Sequence, residues 1–594
     1  MPSPRAQEGS RKMTTQTNPL IEYFPSEIEE FEAGVKRFQA GNWDPTDFMA
    51  FRLRQGVYGQ RQPDVYMFRI KIPFGGMNAD QLNMLGKIVA EYAPLNKGHV
   101  TTRENIQLHH IPLDDSPQIM RMLASVGLTT REACGNTVRN VTGCEIAGVC
   151  AGEPFDVTPY AAAYSRYFVR HPFTQSMPRK IKTAFSGCSR DCAITGIHDV
   201  GFLPVIKDGQ RGFKVVMGGG TSIMPRIAPT LYEFVPTDEY LRVTEAALRV
   251  FHNSDQERRN RMKARIKFLI DRIGIDEFRK QVEEQLQEDW AQRSFDPAGL
   301  LFIDDEEADA PSLNGNFASP GSEPEFDRWL STNVKSQKQD GYHTVTAKLP
   351  LGDIQAEQFH QLADLTRKYG ASRVRLTHQQ NLAVRWVPEN ALYEVWQQLN
   401  EIGFGDAGAM EITDVVSCPG TDSCKLGITS SMGLGRAISD AVQVIDKEED
   451  ALVRKMHIKM SGCPNGCGQH HVADIGFHGA AAKGPGGQVP AYEMFLGGGF
   501  EDGDTRIGLR VKTKVPAKSM PKALRKVLDF YKAERDDDEV FRDFAARVGP
   551  ESFEPLLAEF KEIPELNRES LDMYIDWSKT AKYILERGEG ECAV

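Results

Sequence analysis

The chain has 594 residues, 40% of them hydrophobic and 26% charged, which is the composition of a folded globular protein too long for a single hydrophobic core. A net charge of −11 argues against a nucleic-acid partner, and no apolar run reaches the length of about eighteen residues that a membrane span needs. The N-terminal residues Met1 to Pro25 carry both charge signs and lack an apolar stretch, so no secretory signal is predicted and a cytoplasmic location is expected.

The first predicted elements return later in the chain. Alternating apolar residues and helical periodicity predict a strand, an amphipathic helix, a strand and a second helix over 72–126, and the same order recurs over 349–402. Offsets of 274 to 277 residues relate the two copies. The matching residues are Pro73 and Pro350, Tyr92 and Tyr369, Thr102 and Thr377, Cys144 and Cys418, Cys150 and Cys424, Cys188 and Cys463, and Cys192 and Cys467. This pattern predicts a fused pseudo-dimer.

The segments outside the repeat have simpler patterns. Asp304 to Glu325 is rich in Asp, Glu, Ser, Gly and Pro, which predicts an exposed linker. Asp255 to Gln287 predicts a helix with a basic start, which is either a solvated face or a docking surface for an acidic partner. After the second copy, closing helices are predicted over 520–547 and 551–561.

The cysteines of the second copy form a C-x5-C arm followed by a C-x3-C arm. Four thiolates are the usual complement of a 4Fe–4S cluster, and glycine-rich loops can wrap a cluster and donate amides to its sulfides. A structural zinc site and buried free thiols are the alternatives, although the C-x5-C arm is longer than zinc sites favour. Without a signal peptide, these cysteines favour metal ligands or catalytic thiols over disulfides.

The first copy keeps a cysteine quartet at the same spacing. Three interpretations compete: a second 4Fe–4S cluster, a vestige with reduced thiols, and a redox-labile set of cysteines. Asp191 lies between the last two cysteines, and a carboxylate beside an anionic cluster would lower its potential, which counts against a second cluster. Cys592 is expected to be a tail thiol.

The two cysteine arms, the duplication and the Ser-Gly-Cys-Pro-Asn-x-Cys loop resemble the sirohaem-dependent sulfite and nitrite reductases over about 52–547. The resemblance implies an α/β (α+β) fold in which two ferredoxin-like halves pair and two further domains enclose a sirohaem and one 4Fe–4S cluster. It also implies that Cys467 both ligates the cluster and bridges to the sirohaem iron. The other ligands would be Cys418, Cys424 and Cys463.

On this resemblance the chain is divided into seven segments. They are an N-terminal extension (1–60), a ferredoxin-like half (61–135), a first sirohaem and substrate-pocket domain with a helical end (136–300), a linker (301–340), a second ferredoxin-like half (341–410), a cluster and sirohaem domain (411–515) and C-terminal helices (516–594).

A small oxyanion needs cations to offset its charge and acids to supply protons. The family places basic residues on the open face of the sirohaem, and the matching motifs assign that role here to Arg69, Arg139, Lys180 and Lys182. Taken alone, each would be a solvated surface charge. The corresponding residues of the second copy are Thr346, Thr413, Lys455 and His457. The basic set therefore lies mainly in the first copy and the cluster loop in the second, as expected of one site made across a pseudo-twofold axis.

Further contacts to the cofactor are implied for Arg103, Asn105 and Gln107, on the strand that lies against the sirohaem in the family, and for Asn465 in the cluster loop. The alternative for the first three is the polar face of a half-buried strand. Two adjacent pairs, His109–His110 and His470–His471, would diverge on a strand, so no metal site is predicted from either.

The resemblance implies a six-electron reduction of sulfite to sulfide or of nitrite to ammonia. Lys180 and Lys182 favour sulfite, because nitrite reductases of the family often carry Asn at the second position. No flavin or nicotinamide loop is recognisable, so the expected electron donor is a separate ferredoxin. The protein is expected to be a monomer. A non-catalytic iron–sulfur or zinc protein on the same duplicated scaffold is the alternative from another class.

Overall fold

The computed structural model of the chain describes residues 19–293, 296–318, 321–588 and 590–591. The first eighteen residues of the expected N-terminal extension and Cys592 lie outside them. Within these ranges, none of the helices combines the length and the apolar character that crossing a bilayer requires.

The secondary structure of the described ranges alternates strands and helices. The strands are β1 Val57–Gly59, β2 Val65–Arg69, β3 Gly76–Asn78, β4 Lys97–Val100, β5 Ile106–Pro112, β6 Val138–Gly143, β7 Ile181–Phe185, β8 Val200–Lys207, β9 Gln210–Met217, β10 Thr230–Pro236, β11 Val334–Ser336, β12 Tyr342–Ala347, β13 Asp353–Gln355, β14 Arg373–Leu376, β15 Leu382–Pro388, β16 Val416–Ser417, β17 Ile458–Ser461, β18 Ile475–Gly484, β19 Gly487–Leu496 and β20 Leu509–Pro516. The α-helices are α1 Pro25–Gln39, α2 Pro45–Arg54, α3 Ala79–Tyr92, α4 Ser116–Ser125, α5 Thr158–Phe168, α6 Tyr240–His252, α7 Asp255–Arg259, α8 Ile266–Ile273, α9 Ile275–Gln285, α10 Pro324–Asn333, α11 Ala356–Tyr369, α12 Leu392–Ile402, α13 Ser431–Asp446, α14 Ala451–Arg454, α15 Met520–Glu534 and α16 Phe541–Val548.

The strands form five-stranded sheets that come in two matching pairs. One pair has the strand orders β1-β2-β5-β4-β13 and β11-β12-β15-β14-β3. The other pair has the orders β6-β7-β8-β9-β10 and β16-β17-β18-β19-β20, in each of which the first three strands are parallel and the rest antiparallel. Matching strands hold matching places, so the duplication and the mixed α/β fold predicted from the sequence are confirmed.

The two ferredoxin-like halves exchange a strand. Strand β3 of the first half pairs with β14 of the second, and β13 of the second half pairs with β4 of the first. Helices α3 and α11 pack against each other, and a Cβ on Gly86 would lie 2.8 Å from the ring Nε2 of His360 and 2.9 Å from the carbonyl oxygen of Ala356. Only glycine permits this approach, and the apolar residues of both halves consequently form a single core.

Each of the two remaining sheets has its own hydrophobic core. The molecule therefore consists of a shared ferredoxin-like unit and two further α/β units, and the two units stand in pseudo-twofold relation to each other. Strands β6 and β16 end beside the shared unit. The amide of Gly143 at the end of β6 donates to the Glu104 carboxylate at 2.8 Å, and the amide of Ser417 at the end of β16 donates to the side-chain oxygen of Gln380 at 2.8 Å. This junction is where the residues of the candidate site meet.

Part of the sequence match between the copies reflects helix capping. At the start of α3 the Asn78 side chain accepts a hydrogen bond from the amide of Gln81, and the Gln81 side chain accepts one from the amide of Asn78. Gln355 and Gln358 form the same reciprocal box at the start of α11. Two of the four unpaired amides at each helix end are satisfied in this way, which explains why both copies keep this spacing.

The alignment of the two copies by sequence is wrong by one residue at the threonines. The sequence pattern pairs Thr377 with Thr102, but the structural counterpart of Thr377 is Thr101. The amide of Thr101 donates to the carbonyl of Asn105 at 2.9 Å, and the amide of Thr377 donates to the carbonyl of Asn381 at 3.0 Å. The adjacent threonines in the first copy make the two alignments equivalent by sequence alone.

Two of the helix predictions outside the repeat are wrong in detail. The basic segment over 255–287 is three short helices, α7, α8 and α9, rather than one, and two of its basic side chains are buried. Arg265 donates to Asp199 at 2.7 Å, and the Lys267 ammonium caps the carbonyls of Thr221 and Met224. At the other end of the chain, the segment over 551–561 contains only 3₁₀ turns, Pro550–Ser552 and Ala558–Lys561.

The segment expected as a linker over 301–340 is partly structured, because α10 and β11 occupy its second half. Within its first half, Glu306 is only 5% exposed. Its carboxylate accepts hydrogen bonds from Arg375 at 2.8 Å, from Arg385 at 2.9 Å and from the indole of Trp386 at 3.1 Å. Burial opposes the ionised carboxylate, but the two guanidinium groups prevail and lower the pKa of Glu306 to about 2. The linker is therefore anchored, which its composition did not predict.

We expect Glu306→Gln to lower the free energy of unfolding by about 3–5 kcal/mol, because it leaves Arg375 and Arg385 buried without a counter-charge. Since the pKa of the carboxylate is lowered on folding, its stabilisation is present above the ordinary pKa of 4.5 and is lost as the pH falls towards 2. Urea denaturation at neutral pH measures the change. The exposed neighbour provides the control, and Glu307→Gln should leave stability unchanged; equal losses in both variants would contradict the anchoring role.

Candidate functional site

The four cysteines of the second copy converge where two parallel strands end. Cys418 follows β16 directly, and Cys463 and Cys467 lie in the loop after β17, so both arms emerge at the same edge of the sheet. Burial, and then the neighbouring thiols of Cys467, Cys418 and Cys424, raise the pKa of Cys463 well above its usual range, as expected of four sulfurs that face one another. Such a set can ligate an iron–sulfur cluster when its thiols are ionised.

Backbone amides surround these sulfurs. The amide of Gly462 donates to the sulfur of Cys418 at 3.2 Å, and the amide of Asn465 points at the sulfur of Cys463. Gly466 adopts a φ of +68°, and a Cβ on Gly462 would lie 2.6 Å from the Cα of Gly420. The glycines thus let the two loops approach closely and present N–H donors to anionic sulfur, as the sequence pattern predicted.

A cleft opens beside the cysteines, with an empty space of about 1180 Å³ that includes the part open to solvent. The exposed thiol of Cys467 faces into it, together with Cys418 and Cys424. Seven of the nine remaining residues predicted to form the site line the same cleft, namely Arg69, Arg103, Asn105, Gln107, Arg139, Lys180 and Lys182. First-copy cations and second-copy cysteines therefore meet across the pseudo-twofold axis.

Asn465 and Cys463 are the predicted site residues that do not line the cleft. Cys463 is 6% exposed and lies behind the other cysteines, and the half-buried Asn465 lies on the same loop. The structure therefore gives Asn465 a backbone contact to the Cys463 sulfur in place of a cleft-lining side chain.

A hydrogen-bonded row fixes Arg69 at the wall of the cleft. Its guanidinium donates to the side-chain oxygen of Asn105 at 3.2 Å. The surroundings of Gln107 orient its amide so that the oxygen accepts from Arg69 at 3.0 Å and the nitrogen donates to Nε2 of His109 at 3.1 Å. Asn105 in turn accepts from the hydroxyl of Thr101 at 2.9 Å. The row pre-orients a cation next to the cleft.

The other two arginines are held by backbone carbonyls. Arg103 donates to the carbonyl of Asn140 at 2.5 Å and to that of Thr183 at 3.3 Å, and burial lowers its pKa to about 10. Arg139 donates to the carbonyls of Gly135 at 2.7 Å and Ala133 at 3.1 Å. These bonds lock both guanidinium groups in place as fixed positive charges on the cleft wall.

The two lysines differ from the arginines in their environment. The amide of Lys182 on β7 donates to Asp199 at 2.9 Å, which anchors the backbone, while its ammonium makes no hydrogen bond to the residues described. Burial, and then Arg265, Arg103 and Lys180, lower the pKa of Lys182 well below its usual range. An anion placed in the cleft would reverse that shift, so Lys182 can both bind an anion and hand it a proton.

The sequence did not predict that Gln380 of the second copy and His109 of the first copy line the cleft. Gln380 lines the cleft, donates to the carbonyl of Val100 at 2.8 Å and accepts from the amide of Ser417 at 2.8 Å, next to Cys418. It occupies the counterpart of the loop position before Asn105, so the repeat held the signal. His109 also lines the cleft, but nothing in its sequence context distinguished it from a strand residue.

A buried polar pair joins the two ferredoxin-like halves below the cleft. The carboxyl of Glu104 and Nε2 of His378 are 3.0 Å apart, and both side chains are buried. Burial raises the pKa of Glu104 well above its usual range and lowers the pKa of His378 to about 3, so the contact joins two neutral groups rather than an ion pair. Close by, the hydroxyl of Thr102 donates to the carbonyl of Cys467 at 2.7 Å, which ties the cluster loop to the first half.

The four cysteines of the first copy also lie close to one another. The thiol of Cys188 raises the pKa of Cys150, and the thiol of Cys144 raises the pKa of Cys192. The Asp191 carboxylate accepts from the amide and hydroxyl of Thr195 at 2.9 and 2.8 Å. This quartet does not line the cleft in which the cations converge, so a centre in that cleft would use the second-copy cysteines.

Among the described residues, the group of side chains arranged closely enough to hold a metal ion is His457, Asp474 and Glu501, which includes neither of the adjacent histidine pairs. The expectation that His470 and His471 diverge on a strand is wrong, because they lie in a 3₁₀ turn with ring centroids 3.9 Å apart.

Two family descriptions match the chain, each of them twice. The nitrite and sulphite reductase 4Fe–4S domain matches residues 134–289 and 408–564, and the nitrite/sulfite reductase ferredoxin-like half domain matches residues 58–126 and 335–402. The paired matches coincide with the two copies of the duplication.

Individual proteins are similar over most of their length. The ferredoxin–nitrite reductase of Synechococcus elongatus is 33% identical over 83% of this chain and 92% of its own. The enzyme named sulfite reductase [ferredoxin] 1 of Mycolicibacterium paratuberculosis is 30% identical over 82% of this chain and 83% of its own. The solved structure of the Mycobacterium tuberculosis NirA protein superposes with a TM-score of 0.73 at 26% identity, covering 90% of this chain and 98% of that one.

Proposed function

Because the chain belongs to the nitrite and sulfite reductase family, we propose that it catalyses the six-electron reduction of sulfite to sulfide in the cleft described above. The observation that carries the proposal is the convergence of five first-copy cations with the second-copy cysteines around one cleft. The convergence supports a catalytic site, because a non-catalytic iron–sulfur or zinc scaffold has no need for half-buried cations beside the thiols.

Membership of the family implies sirohaem and a 4Fe–4S cluster, and the residues present fit both groups. Cys418, Cys424, Cys463 and Cys467 would hold the cluster, with amides directed at the sulfurs of the first and third. The cleft in front of Cys467 would hold the tetrapyrrole, whose carboxylates match its basic wall. When bound, the coupled pair supplies electrons one at a time at the reacting centre.

The protein's own part in the reaction is to hold the anion and move protons. Arg69, locked by Asn105 and Gln107, and Arg139, locked by two carbonyls, act as fixed positive charges that offset the charge of the anion. The Lys182 ammonium makes no hydrogen bond within the described part of the chain and has a lowered pKa, so it suits proton donation as each substrate oxygen leaves as water.

The two lysines support sulfite as the substrate. Sulfite carries up to two negative charges and nitrite only one, so a cleft with Lys180 and Lys182 in addition to three arginines suits the more highly charged anion. Nitrite is the second candidate, because the similar proteins of Synechococcus elongatus and Haloferax mediterranei are named nitrite reductases.

Turnover of sulfite and nitrite by the holoenzyme with reduced methyl viologen tests the proposal. A higher kcat/KM for sulfite than for nitrite supports the assignment. The reverse order would make nitrite the substrate, and no turnover of either anion would contradict the proposed function.

We propose ferredoxin as the electron donor, as the names of the similar enzymes state for those proteins. A donor must approach the cluster, and exposed cations border the C-x5-C arm. Lys579 contacts Asp422 within that arm at 2.9 Å and is 38% exposed, and the exposed Arg436 bonds to the neighbouring Ser578 at 2.9 Å. These charges are placed to attract an acidic donor.

Reversing both charges, in the double variant Arg436→Glu and Lys579→Glu, should lower ferredoxin-driven turnover at low salt by about tenfold, because rim charges act mainly on the association rate. Turnover driven by methyl viologen, which needs no protein docking, should stay unchanged. Lys280→Glu reverses a charge of 66% exposure on α9 and is the control. An equal loss with both donors would show that the double variant disturbs the site itself.

A further inference from the structure

Each copy of the duplication is followed by a segment that carries one buried glutamate. After the first copy this is the linker segment Phe302–Glu307, with Glu306. After the second copy it is a segment that we call the strap, residues 583–588 and 590–591, with Glu591. Both glutamates are 5% exposed, although carboxylates are almost never this buried unless paired.

The strap runs along the C-x5-C arm of the cysteine site. The amide of Gly588 donates to the carbonyl of Lys425 at 3.1 Å, and the hydroxyl of Tyr583 donates to that of Ile428 at 3.0 Å. Arg61 links the two segments, donating to the carbonyls of Gly427 at 2.7 Å and Glu586 at 2.9 Å. The strap therefore lies against the loop that presents Cys424.

Glu591 anchors the strap to the first half of the molecule. Its carboxylate accepts two hydrogen bonds from Arg52, at 2.8 and 2.5 Å, and one from the amide of Gly59 at 2.7 Å. The side chain of Arg52 is 8% exposed, and its guanidinium also lies over the ring of Tyr66. A buried, bidentate pair of this kind is costly to break from one side, because the remaining charge is left unpaired.

The anchor places the strap in the wall of the candidate cleft. Gly590 lines the cleft next to Tyr58, Gly59 and Leu426. The packing there is close, because a Cβ on Gly590 would lie 2.1 Å from Cγ of Leu426. This part of the cleft wall thus depends on the position of the strap.

The segment that follows the first copy lies beside the second ferredoxin-like half, in a position comparable to that of the strap. Arg375 and Arg385, which bind Glu306, lie 276 residues after His99 and His109 of the cleft. The linker segment, Phe302–Glu307, lines the corresponding space of the second ferredoxin-like half, which has an empty volume of about 1150 Å³ including the part open to solvent. In both copies the segment after the repeat therefore forms part of the wall of a cleft beside the sheet.

We propose that the strap, fastened by Glu591 and Arg52, closes the candidate cleft and retains the tetrapyrrole within it. Glu591 and Arg52 are positioning residues, since neither lines the cleft itself. The inference rests on the proposed function, because it presupposes that the cleft binds sirohaem.

The test is the rate at which purified holoenzyme loses its chlorin absorbance in the presence of excess serum albumin as acceptor. Glu591→Gln should accelerate the loss by about tenfold, corresponding to about 1.4 kcal/mol, because a buried charge pair is broken. Arg52→Gln should have the same effect, and the double variant should add little to either single one, because both remove one interaction. Turnover per bound sirohaem should stay at the wild-type value.

Glu586→Gln is the matched control, because Glu586 is 74% exposed and its carboxylate is 3.8 Å from Arg61. It should release the cofactor at the wild-type rate, and Glu591→Asp, which keeps the charge, should fall between the two. Release from Glu591→Gln within twofold of wild type, with its circular dichroism unchanged, would overturn the inference. A wild-type protein that binds no tetrapyrrole would instead overturn the proposed function, so the two failures are distinguishable.

Discussion

Replacing Cys467 with serine is expected to lower sulfite and nitrite turnover to the background of a protein-free assay. The Cys467 sulfur is the one thiol of the quartet that is exposed, and it faces the cleft in which the cations converge. On the proposed assignment, serine would remove one of the four thiolates that hold the cluster, at the position that faces the proposed tetrapyrrole site. Iron content and the chlorin band of the purified variant measure the loss independently of turnover.

The duplication supplies a matched control for this variant. Cys192 is the counterpart of Cys467 in the first copy, 275 residues earlier, and it does not line the cleft. Cys192→Ser should keep its iron, its chlorin band and its turnover. Equal losses in the two variants would contradict a single centre built from the second-copy cysteines.

The second large effect is expected for Lys182→Asn. Removing a preorganised charge from the reacting centre should lower sulfite turnover by about 10²–10³-fold. Nitrite turnover should fall less, because nitrite carries a smaller charge and leaves Arg69, Arg139 and Lys180 to offset it. The comparison is made on kcat and KM for both anions with reduced methyl viologen.

Lys207→Asn serves as the control, because Lys207 is an exposed residue at the end of the neighbouring strand β8. It should leave both activities unchanged. Equal losses of sulfite and nitrite turnover in Lys182→Asn would remove the argument for sulfite from this residue, while unchanged turnover of both would remove Lys182 from the site.

Much of the fold was predictable because the duplication presents the same order of strands and helices twice in the sequence. The Asn78–Gln81 and Gln355–Gln358 spacings mark the starts of equivalent helices, since each pair forms a capping box. The exchange of β3 and β13 was not predictable, because three-residue strands carry too little periodicity to reveal a partner in the other half.

The candidate site was predictable in its chemistry and less so in its surroundings. Spacing identified the four cysteines, and motifs of the resembling family identified the cations that line the cleft. Gln380 was missed because its role depends on a loop crossing from the second half. The sequence predicts a helix with a basic start for the segment that contains Arg265 and Lys267, but both side chains are buried by tertiary contacts to Asp199 and to backbone carbonyls.

The burial of one glutamate in each segment that follows a copy could not be predicted from the sequence either. Glu306 and Glu591 stand in polar stretches whose composition indicates exposure, and their burial depends on arginines distant in sequence. Composition reports how many charged residues a segment has, but a long-range ion pair decides where one of them lies.

The absorption spectrum of protein produced with sirohaem synthesis intact, with non-haem iron and acid-labile sulfide counted per chain, tests the central claim most directly. A single coupled centre built from Cys418, Cys424, Cys463 and Cys467 predicts a chlorin-type band and about four non-haem irons per chain. About eight irons would place a second cluster on the first-copy thiols. The absence of a chlorin band would contradict the claim that the cleft binds sirohaem.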